Sequence, residues 1–207
     1  MLVDVGFGVS AVTTSEFAAA FPSHEVVGLE QDASRVAAAS VEFPSLTLVT
    51  GGLEAVSREA LVVRIANVAR GLSKDGAAAL HASVVSKLVD GGVCLEGSTD
   101  VEGHVSTFWV LRRSGASLLR EALVFHTDGA RGFSPWLFRD VLPRELRRDV
   151  RPGTPVHALL TGWTASWELA RTSSPLESFE ASVRVLAQRR ADVDARLITD
   201  GFCVWRQ

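Results

Sequence analysis

The chain has 207 residues, of which 47% are hydrophobic and 22% are charged, a composition typical of a globular protein. Its formal net charge of -3 does not favour nucleic acid or an anionic membrane as a partner. It has two cysteines, no apolar run long enough to span a membrane and no signal-peptide pattern, so we predict a cytoplasmic protein without a disulfide framework.

The first half of the chain alternates between short apolar segments and longer segments with helical spacing. Thr13 is followed three residues later by Glu16, a capping-box pattern that predicts a helix beginning at Thr14. Asp32 is placed to cap the next helix, and residues 90–92 (Asp-Gly-Gly) are expected to end the third. The predicted strands are Leu2–Val5, Glu25–Leu29, Leu46–Thr50, Ala60–Asn67 and Val93–Gly97. The predicted helices are Thr14–Phe21, Ser34–Ser40 and Lys74–Val89.

This alternation, with strands that are apolar throughout, indicates a parallel sheet covered by helices on both faces. We therefore predict an α/β, Rossmann-like fold with a mostly parallel sheet. Right-handed crossovers place the C-terminal ends of the strands at one edge, where such folds bind ligands. The residues expected at that edge are Gly6, Gly8, Glu30, Gly51, Asn67 and Gly97.

The second half of the chain has a different pattern, with two apolar segments that flank residues 113–116 and predict an antiparallel hairpin. No repeat or low-complexity linker interrupts the sequence, so we predict one domain over residues 1–207. Because the first strand begins at residue 2, either the domain has no N-terminal helix or the natural start of the chain is missing. The predicted elements are strands Ser106–Leu111 and Leu118–Phe125, a short aromatic and helix-like segment Phe133–Val141, helices Val156–Ala170 and Leu176–Arg189, and a last strand Phe202–Trp205 on an edge.

Two closely spaced glycines follow the first strand. Gly6-x-Gly8-x-x-Ala11 satisfies the dinucleotide fingerprint, and Glu30 follows at about the distance expected for an acid that binds a ribose. On its own this pattern indicates an NAD-dependent oxidoreductase. A tight strand-to-helix turn without a ligand is the structural interpretation of the same glycines.

Two features argue against a dinucleotide. The capping box starts the helix after Ala11, which makes the loop longer than in dinucleotide-binding folds. Asp4 precedes the glycines at the end of a buried strand, where its carboxylate would repel a pyrophosphate. A cationic ligand without phosphate suits this place better.

The stretch VDVGFG resembles the (D/E)-x-G-x-G motif of class I S-adenosylmethionine-dependent methyltransferases. VVGLEQDASRV resembles that family's second signature, a strand ending in an acid, and LVDGGVCLEGSTD resembles its segment of helix end, double glycine and fifth strand. Residues 2–100 are similar to a group of small actinobacterial methyltransferase-like proteins. The resemblance implies S-adenosylmethionine as the cofactor, with Asp4, Gly6 and Gly8 along its methionine moiety, Glu30 on its ribose hydroxyls and Gln31 beside its adenine.

The chain departs from the family at the third strand, where an acidic residue commonly holds the adenine amino group. Thr50-Gly51-Gly52 stands there, and Glu54 is the nearest acid. Backbone groups can make the same contact, so Gly51 and Gly52 are assigned to the cofactor site. Asn67, at the end of the fourth strand, completes the predicted site, because substrate-facing residues often lie there in the family.

We therefore predict a methyltransferase that acts on a small-molecule acceptor, with residues 1–100 as the cofactor-binding half and residues 101–207 as the substrate half. Methyl transfer mainly requires alignment of the nucleophile with the methyl group, which explains why no catalytic residue is identified. The alternatives are a non-catalytic cofactor-binding or regulatory protein on the same fold and the NAD-dependent oxidoreductase. No metal, membrane or nucleic acid is expected, and a homodimer could form through the last strand.

Other residues have both a functional and a structural interpretation. His104 and His157 lie in or next to loops and could act as bases, whereas His81 is expected on a helix face and Glu96 beside a partner within its strand. The arginine-rich stretch is either a solvated face or a site for a phosphate-bearing substrate, and comprises Arg144, Arg147, Arg148 and Arg151. The tryptophans that either line a substrate pocket or belong to the core are Trp136, Trp163 and Trp167.

Overall fold

The computed structural model describes residues 1–206, which form two compact units. The first unit comprises residues 1–96 and 111–120. The second comprises residues 97–110 and the described chain from residue 121 onward. Whether both act as the one predicted domain, with a functional division near residue 100, stays a prediction.

The first unit is built around a parallel sheet. Its strands are β1 (Leu2–Val5), β2 (Val26–Glu30), β3 (Thr47–Thr50) and β4 (Ala60–Ala66), and β5 (Leu88–Thr99) begins in this unit. The order is β3-β2-β1-β4-β5, and the first four strands pair in parallel. Its helices are α1 (Val12–Ala20), α2 (Ala33–Glu42) and α3 (Lys74–Lys87). The parallel strands and intervening helices confirm the predicted Rossmann-like α/β fold class.

The sequence explains several of these elements directly. All four residues of β1 are buried, as expected for a strand covered on both faces. The Asp32 side chain caps α2 as predicted, because it accepts hydrogen bonds from the backbone amides of Ser34 and Arg35. Gly28 on β2 provides space, since a Cβ there would lie 2.7 Å from Leu48 and 3.2 Å from Phe7.

The predicted start of α1 was wrong. The helix begins at Val12, directly after Ala11, and has no side-chain cap. The hydroxyls of Thr13 and Thr14 instead donate to the Asp4 carboxylate, at 3.4 and 2.7 Å. The longer loop that argued against a dinucleotide is therefore not present.

The predicted break before the fifth strand was also wrong. Strand β5 runs through residues 90–92 without interruption, and α3 ends before them. Two contacts explain this extension: the Gly115 amide donates to the Asp90 carboxylate at 2.9 Å, and the Arg112 guanidinium donates to the Gly91 carbonyl at 2.8 Å. Residues that are distant in sequence thus hold this Asp-Gly-Gly segment extended.

The second unit contains an antiparallel sheet and a helical layer. The predicted hairpin is present as β6 (Val105–Ser114) and β7 (Ser117–Thr127), and its tip belongs to the first unit. The other strands are β8 (Val193–Asp194) and β9 (Phe202–Arg206), in the order β6-β7-β9-β8. A 3-10 helix over Pro135–Val141 precedes α4 (Arg144–Arg148), α5 (Pro155–Ala170) and α6 (Pro175–Arg189).

The prediction of an edge position for the last strand was wrong. Strand β9 pairs antiparallel with β7 on one side and with β8 on the other. The short β8 therefore covers part of the β9 backbone that a second copy would have used, at Val204 and Trp205.

Aromatic side chains form the core of the second unit. Trp163 on α5 is fully buried, stacks on Phe138 at 5.4 Å and contacts Phe125 edge-on at 5.5 Å between ring centroids. Its indole nitrogen donates to the Ser182 hydroxyl on α6 at 2.9 Å, so the buried polar atom is satisfied. Trp163 is thus a core residue.

Across residues 1–206, we find no helix with both the length and the apolar character needed to cross a membrane.

Candidate functional site

The C-terminal ends of β1, β2 and β3 are joined by backbone hydrogen bonds. The Gly6 amide donates to the carbonyl of Leu29 at 2.7 Å, and the Gly51 amide donates to the carbonyl of Glu30 at 2.9 Å. The glycines that follow β1 and β3 therefore lie on either side of the end of β2. This edge is where an open α/β sheet binds its ligand.

Glu30 is in direct contact with the glycine turn. One carboxylate oxygen accepts the Gly8 amide at 3.0 Å, and the other accepts the Asp32 amide at 3.1 Å. Each oxygen can accept a further hydrogen bond, because an ionised carboxylate has about four acceptor sites. The half-buried acid is thus fixed in place by the backbone and retains the capacity to bind a ligand's hydroxyl groups.

The two glycines of the turn have different surroundings. Both have positive φ angles, +74° at Gly6 and +78° at Gly8. A Cβ at Gly6 would lie 2.5 Å from a methyl carbon of Val68, whereas a Cβ at Gly8 would have no neighbour within 4 Å. The turn is therefore packed at Gly6 and open at Gly8, where another molecule can approach the backbone closely.

Asp4 lies on β1, two residues before the first glycine of the turn. It is fully buried and lies opposite Arg64 across the β1–β4 pair, and its carboxylate accepts the Arg64 guanidinium at 2.7 Å. The same carboxylate accepts the Thr13 and Thr14 hydroxyls. Asp4 thus joins β1, β4 and the start of α1 with a locally compensated charge, and its contact with a cofactor stays a prediction.

Arg64, which compensates the Asp4 charge, was not among the residues predicted from the sequence. A visible signal was its position as the one charged residue in the apolar strand ALVVRIA. A charge in such a strand requires a partner, because an unpaired buried charge is strongly destabilising. The partner itself is set by the β1–β4 register, which the sequence does not reveal.

Glu54 lies beside the predicted glycines at the end of β3. Its carboxylate accepts the Gly52 amide at 2.7 Å, and this hydrogen bond lowers the pKa of the carboxyl group. The side chain is exposed, on a 3-10 helix over Leu53–Ala55. An ionised acceptor is thus present shortly after the end of β3.

The remaining predicted site residues are exposed. Gln31 directly follows Glu30, and Asn67 directly follows β4 with a φ of 62°, in the left-handed region that asparagine tolerates better than most residues. The structure therefore brings Gly6, Gly8, Glu30, Gly51 and Gly52 to adjacent strand ends. The binding roles of all eight predicted residues stay predictions.

Two histidines have acidic partners. His81 on α3 pairs with Glu96 on β5, which agrees with the structural interpretation of Glu96. In the second unit the Nδ1 atom of His104 lies 2.7 Å from the Asp128 carboxylate, and this hydrogen bond raises the pKa of His104. Within residues 1–206, no three His, Cys, Asp or Glu side chains are grouped as a metal site would require.

No protein-family profile and no curated protein matches the chain. One similar solved structure is S-adenosylmethionine-bound CalS10, an amino pentose methyltransferase from Micromonospora echinaspora involved in calicheamicin biosynthesis, with 20% identity over 60% of this chain and 58% of that chain and a TM-score of 0.42. Another is DesVI from Streptomyces venezuelae, with 20% identity over 62% of this chain and 63% of that chain and a TM-score of 0.40. An S-adenosylmethionine-dependent methyltransferase from Clostridium acetobutylicum has 12% identity over 60% and 57% of the two chains and a TM-score of 0.40. The chain spans about three fifths of the length of these structures.

Proposed function

We propose that the chain is an S-adenosylmethionine-dependent methyltransferase that acts on a small-molecule acceptor. The observation that carries this proposal is the 3.0 Å contact between the Glu30 carboxylate and the Gly8 amide. An acid that can accept hydrogen bonds from a ribose diol then lies against an open glycine backbone, a combination that suits a nucleoside ligand. VDVGFG and VVGLEQDASRV resemble the two signatures of class I methyltransferases, and this resemblance identifies the nucleoside as S-adenosylmethionine.

In this proposal each strand end holds one part of the cofactor. Glu30 would accept the ribose hydroxyls, and the backbone at Gly6 and Gly8 would lie along the methionine moiety. Gln31 would lie beside the adenine, and the carboxylate of Glu54 would accept the adenine amino group, the role for which the third strand itself has no acid. The other proposed site residues are Asp4, Gly51, Gly52 and Asn67.

The chemistry needs little from the side chains. The bound cofactor supplies a methyl group on a positively charged sulfur, which is a good leaving group. The chain has to hold this group in line with an oxygen or nitrogen of the acceptor and to exclude water. The residues after 100 would bind the acceptor.

We also propose a cytosolic location. Both cysteines, Cys94 and Cys203, are free and buried, and burial raises the pKa of each thiol well above its usual range. Such thiols are unreactive and form no disulfide framework, as suits a reducing compartment.

A specific observation favours the NAD-dependent oxidoreductase as a second candidate. Helix α1 begins immediately after Ala11 of the fingerprint, without a side-chain cap and without an acid in its first turn. Such a helix start is compatible with a pyrophosphate. The Asp4 carboxylate, which accepts the hydroxyls of Thr13 and Thr14 in that first turn, is compensated by the Arg64 guanidinium and gives only weak opposition to a second anion there.

Calorimetric titration with S-adenosylmethionine, S-adenosylhomocysteine and NADH separates these functions. We expect the first two to bind, and Glu30→Ala to weaken both by about tenfold or more, since hydrogen bonds to a charged group contribute about 1.5–3 kcal/mol. Glu16→Ala is the matched control, because it removes an exposed carboxylate from α1 in the same unit. Circular dichroism would verify that both variants fold.

Three results would change the proposal. Binding of NADH alone would select the oxidoreductase, and binding of none of the three ligands would overturn both candidates. Equal effects of the two substitutions would remove Glu30 from the site. Binding of S-adenosylmethionine without labelled product, after incubation of metabolite extracts with cofactor labelled in its methyl group, would indicate a cofactor-binding regulator.

A further inference from the structure

The second unit exposes one of its indole rings. Trp136 lies on the 3-10 helix over Pro135–Val141 with 37% of its surface exposed, whereas Trp109, Trp163 and Trp205 are at most 4% exposed. Its ring packs against His157 on α5 in a T-shaped arrangement, with 6.0 Å between centroids and an interplanar angle of 68°. The ring is thus held in place by a neighbour and remains accessible to an aromatic ligand.

An arginine stands on the same face as this ring. Residues three apart in a 3-10 helix lie one above the other, so Arg139 follows Trp136 by one turn. Helix α4, which carries Arg147 and Arg148, contacts the same 3-10 helix, as does α5, which carries His157. We refer to these five residues, Trp136, Arg139, Arg147, Arg148 and His157, as the Trp136 patch.

The arginines of the Trp136 patch differ from their sequence neighbours. Arg131 pairs with Asp100 at 2.9 Å and Arg151 pairs with Asp149 at 3.3 Å. Arg139, Arg147 and Arg148 have no carboxylate within ion-pair distance in the part of the chain that the structure describes.

The local charge also differs from that of the whole chain. Residues 131–157 contain six arginines and three acids, in a chain whose formal net charge is -3. An exposed indole with Arg139 one turn away, in a segment with an excess of guanidinium groups, therefore distinguishes this surface.

We propose that the Trp136 patch binds a nucleotide, with the base stacked on the indole and the phosphate held by the arginines. Every base has a flat π-face that stacks on tryptophan, and guanidinium groups match the geometry of phosphate oxygens. The proposal does not depend on the methyltransferase function, because the ligand binds in the absence of any cofactor. Either a free nucleotide or a single-stranded RNA segment carries the required chemistry.

The test is an NMR titration that follows the indole N–H signal of Trp136, assigned by its loss in Trp136→Phe. The probes are adenosine 5′-monophosphate, adenosine, inorganic phosphate and a short oligouridylate. Trp136→Ala removes the stacking surface, and Arg139→Gln/Arg148→Gln removes two positive charges. The matched control is Arg184→Gln/Arg189→Gln, which removes two charges from exposed positions on α6 of the same unit.

We expect adenosine 5′-monophosphate or the oligouridylate to shift the Trp136 signal, and Trp136→Ala to weaken binding about tenfold. The Arg139/Arg148 variant should weaken binding several-fold at low ionic strength and reduce its salt dependence, with no effect of the control. Binding of the mononucleotide identifies a free nucleotide as the source, and binding of the oligouridylate alone identifies RNA. The proposal is overturned if neither probe shifts the signal, if phosphate alone reproduces the shift, or if the two arginine variants behave alike.

Discussion

Alanine substitutions at the two glycines of the β1–α1 turn should have unequal effects. Both glycines have nearly the same positive φ, 74° and 78°, so alanine at either position adopts a left-handed conformation at a cost of about 1–2 kcal/mol. Gly8→Ala adds no contact within 4 Å and should reduce the free energy of unfolding by that amount alone. Gly6→Ala also places its Cβ 2.5 Å from a methyl carbon of Val68, well inside the normal contact distance.

The overlap at Gly6 allows a second, sharper test. Overpacking of this kind costs about 1–3 kcal/mol, so Gly6→Ala should destabilise the protein by about 2–5 kcal/mol in total. In Gly6→Ala/Val68→Ala the overlapping methyl is gone, and the Cβ of residue 68 lies 4.0 Å from the new atom, an ordinary contact. The double variant should therefore recover the overpacking part, which appears as a coupling energy in a double-mutant cycle.

Urea denaturation of the wild type, Gly8→Ala, Gly6→Ala, Val68→Ala and the double variant measures these free energies. The expected order of stability places Gly8→Ala clearly above Gly6→Ala. Equal losses at the two glycines would contradict the packing described for the turn. A coupling energy near zero would show that Val68 is not the residue that excludes a side chain from position 6.

Two further predictions concern charge. Arg64→Gln should reduce the free energy of unfolding by about 3 kcal/mol, because it leaves the buried Asp4 carboxylate without its cation. Arg58→Gln, which breaks an exposed pair with Glu25, should have no measurable effect in the same urea assay. Similar losses for the two variants would contradict the burial of the Arg64–Asp4 pair. The pKa of His104 is raised by its hydrogen bond to Asp128 and that of His126 is lowered by burial, so NMR titration should find His104 deprotonating at the higher pH. The stabilisation from the His104 pair is complete below the unfolded-state pKa of about 6.5 and is lost as pH rises through the higher folded-state pKa. Asp128→Asn should lower the pKa of His104, because Asp128 is the largest cause of its elevation, and an unchanged His104 titration would refute this assignment.

The first half of the fold could be predicted from the sequence because its signals are local. Apolar strands bounded by glycine, and a helix capped by Asp32, depend on residues close together in the chain. The start of α1 and the extent of β5 could not be predicted in this way. The hydroxyls of Thr13 and Thr14 bond to Asp4 instead of capping the helix, and Asp90 receives its hydrogen bond from Gly115, which lies 25 residues away.

The same distinction applies to the candidate site. Gly6, Gly8 and Glu30 follow strands, so parallel pairing alone predicts that they share an edge of the sheet. In contrast, the pairing of the Asp4 charge with Arg64 depends on which strand lies beside β1 and on the register of the two strands. Sequence patterns specify that β4 is a strand, but not that its fifth residue lies opposite the fourth residue of the chain.

The charge of Asp4 consequently has a different meaning in the structure than in the sequence. The preference for a cationic cofactor was inferred from an uncompensated carboxylate before the glycine turn, but that carboxylate is paired with Arg64 and buried. The acid that bears directly on a bound cofactor is Glu30, which lies at the turn itself, is half-buried and has the Gly8 amide as a neighbour. An ionised acid at that place favours a ribose diol and repels a ribose 2′-phosphate, so NADP is the least suitable of the nucleoside cofactors. NAD and S-adenosylmethionine both present the diol, so Glu30 does not distinguish between them, and the Asp4 charge, compensated by Arg64, opposes the phosphates of NAD only weakly. The methyltransferase is preferred because VDVGFG and VVGLEQDASRV resemble that family's two signatures.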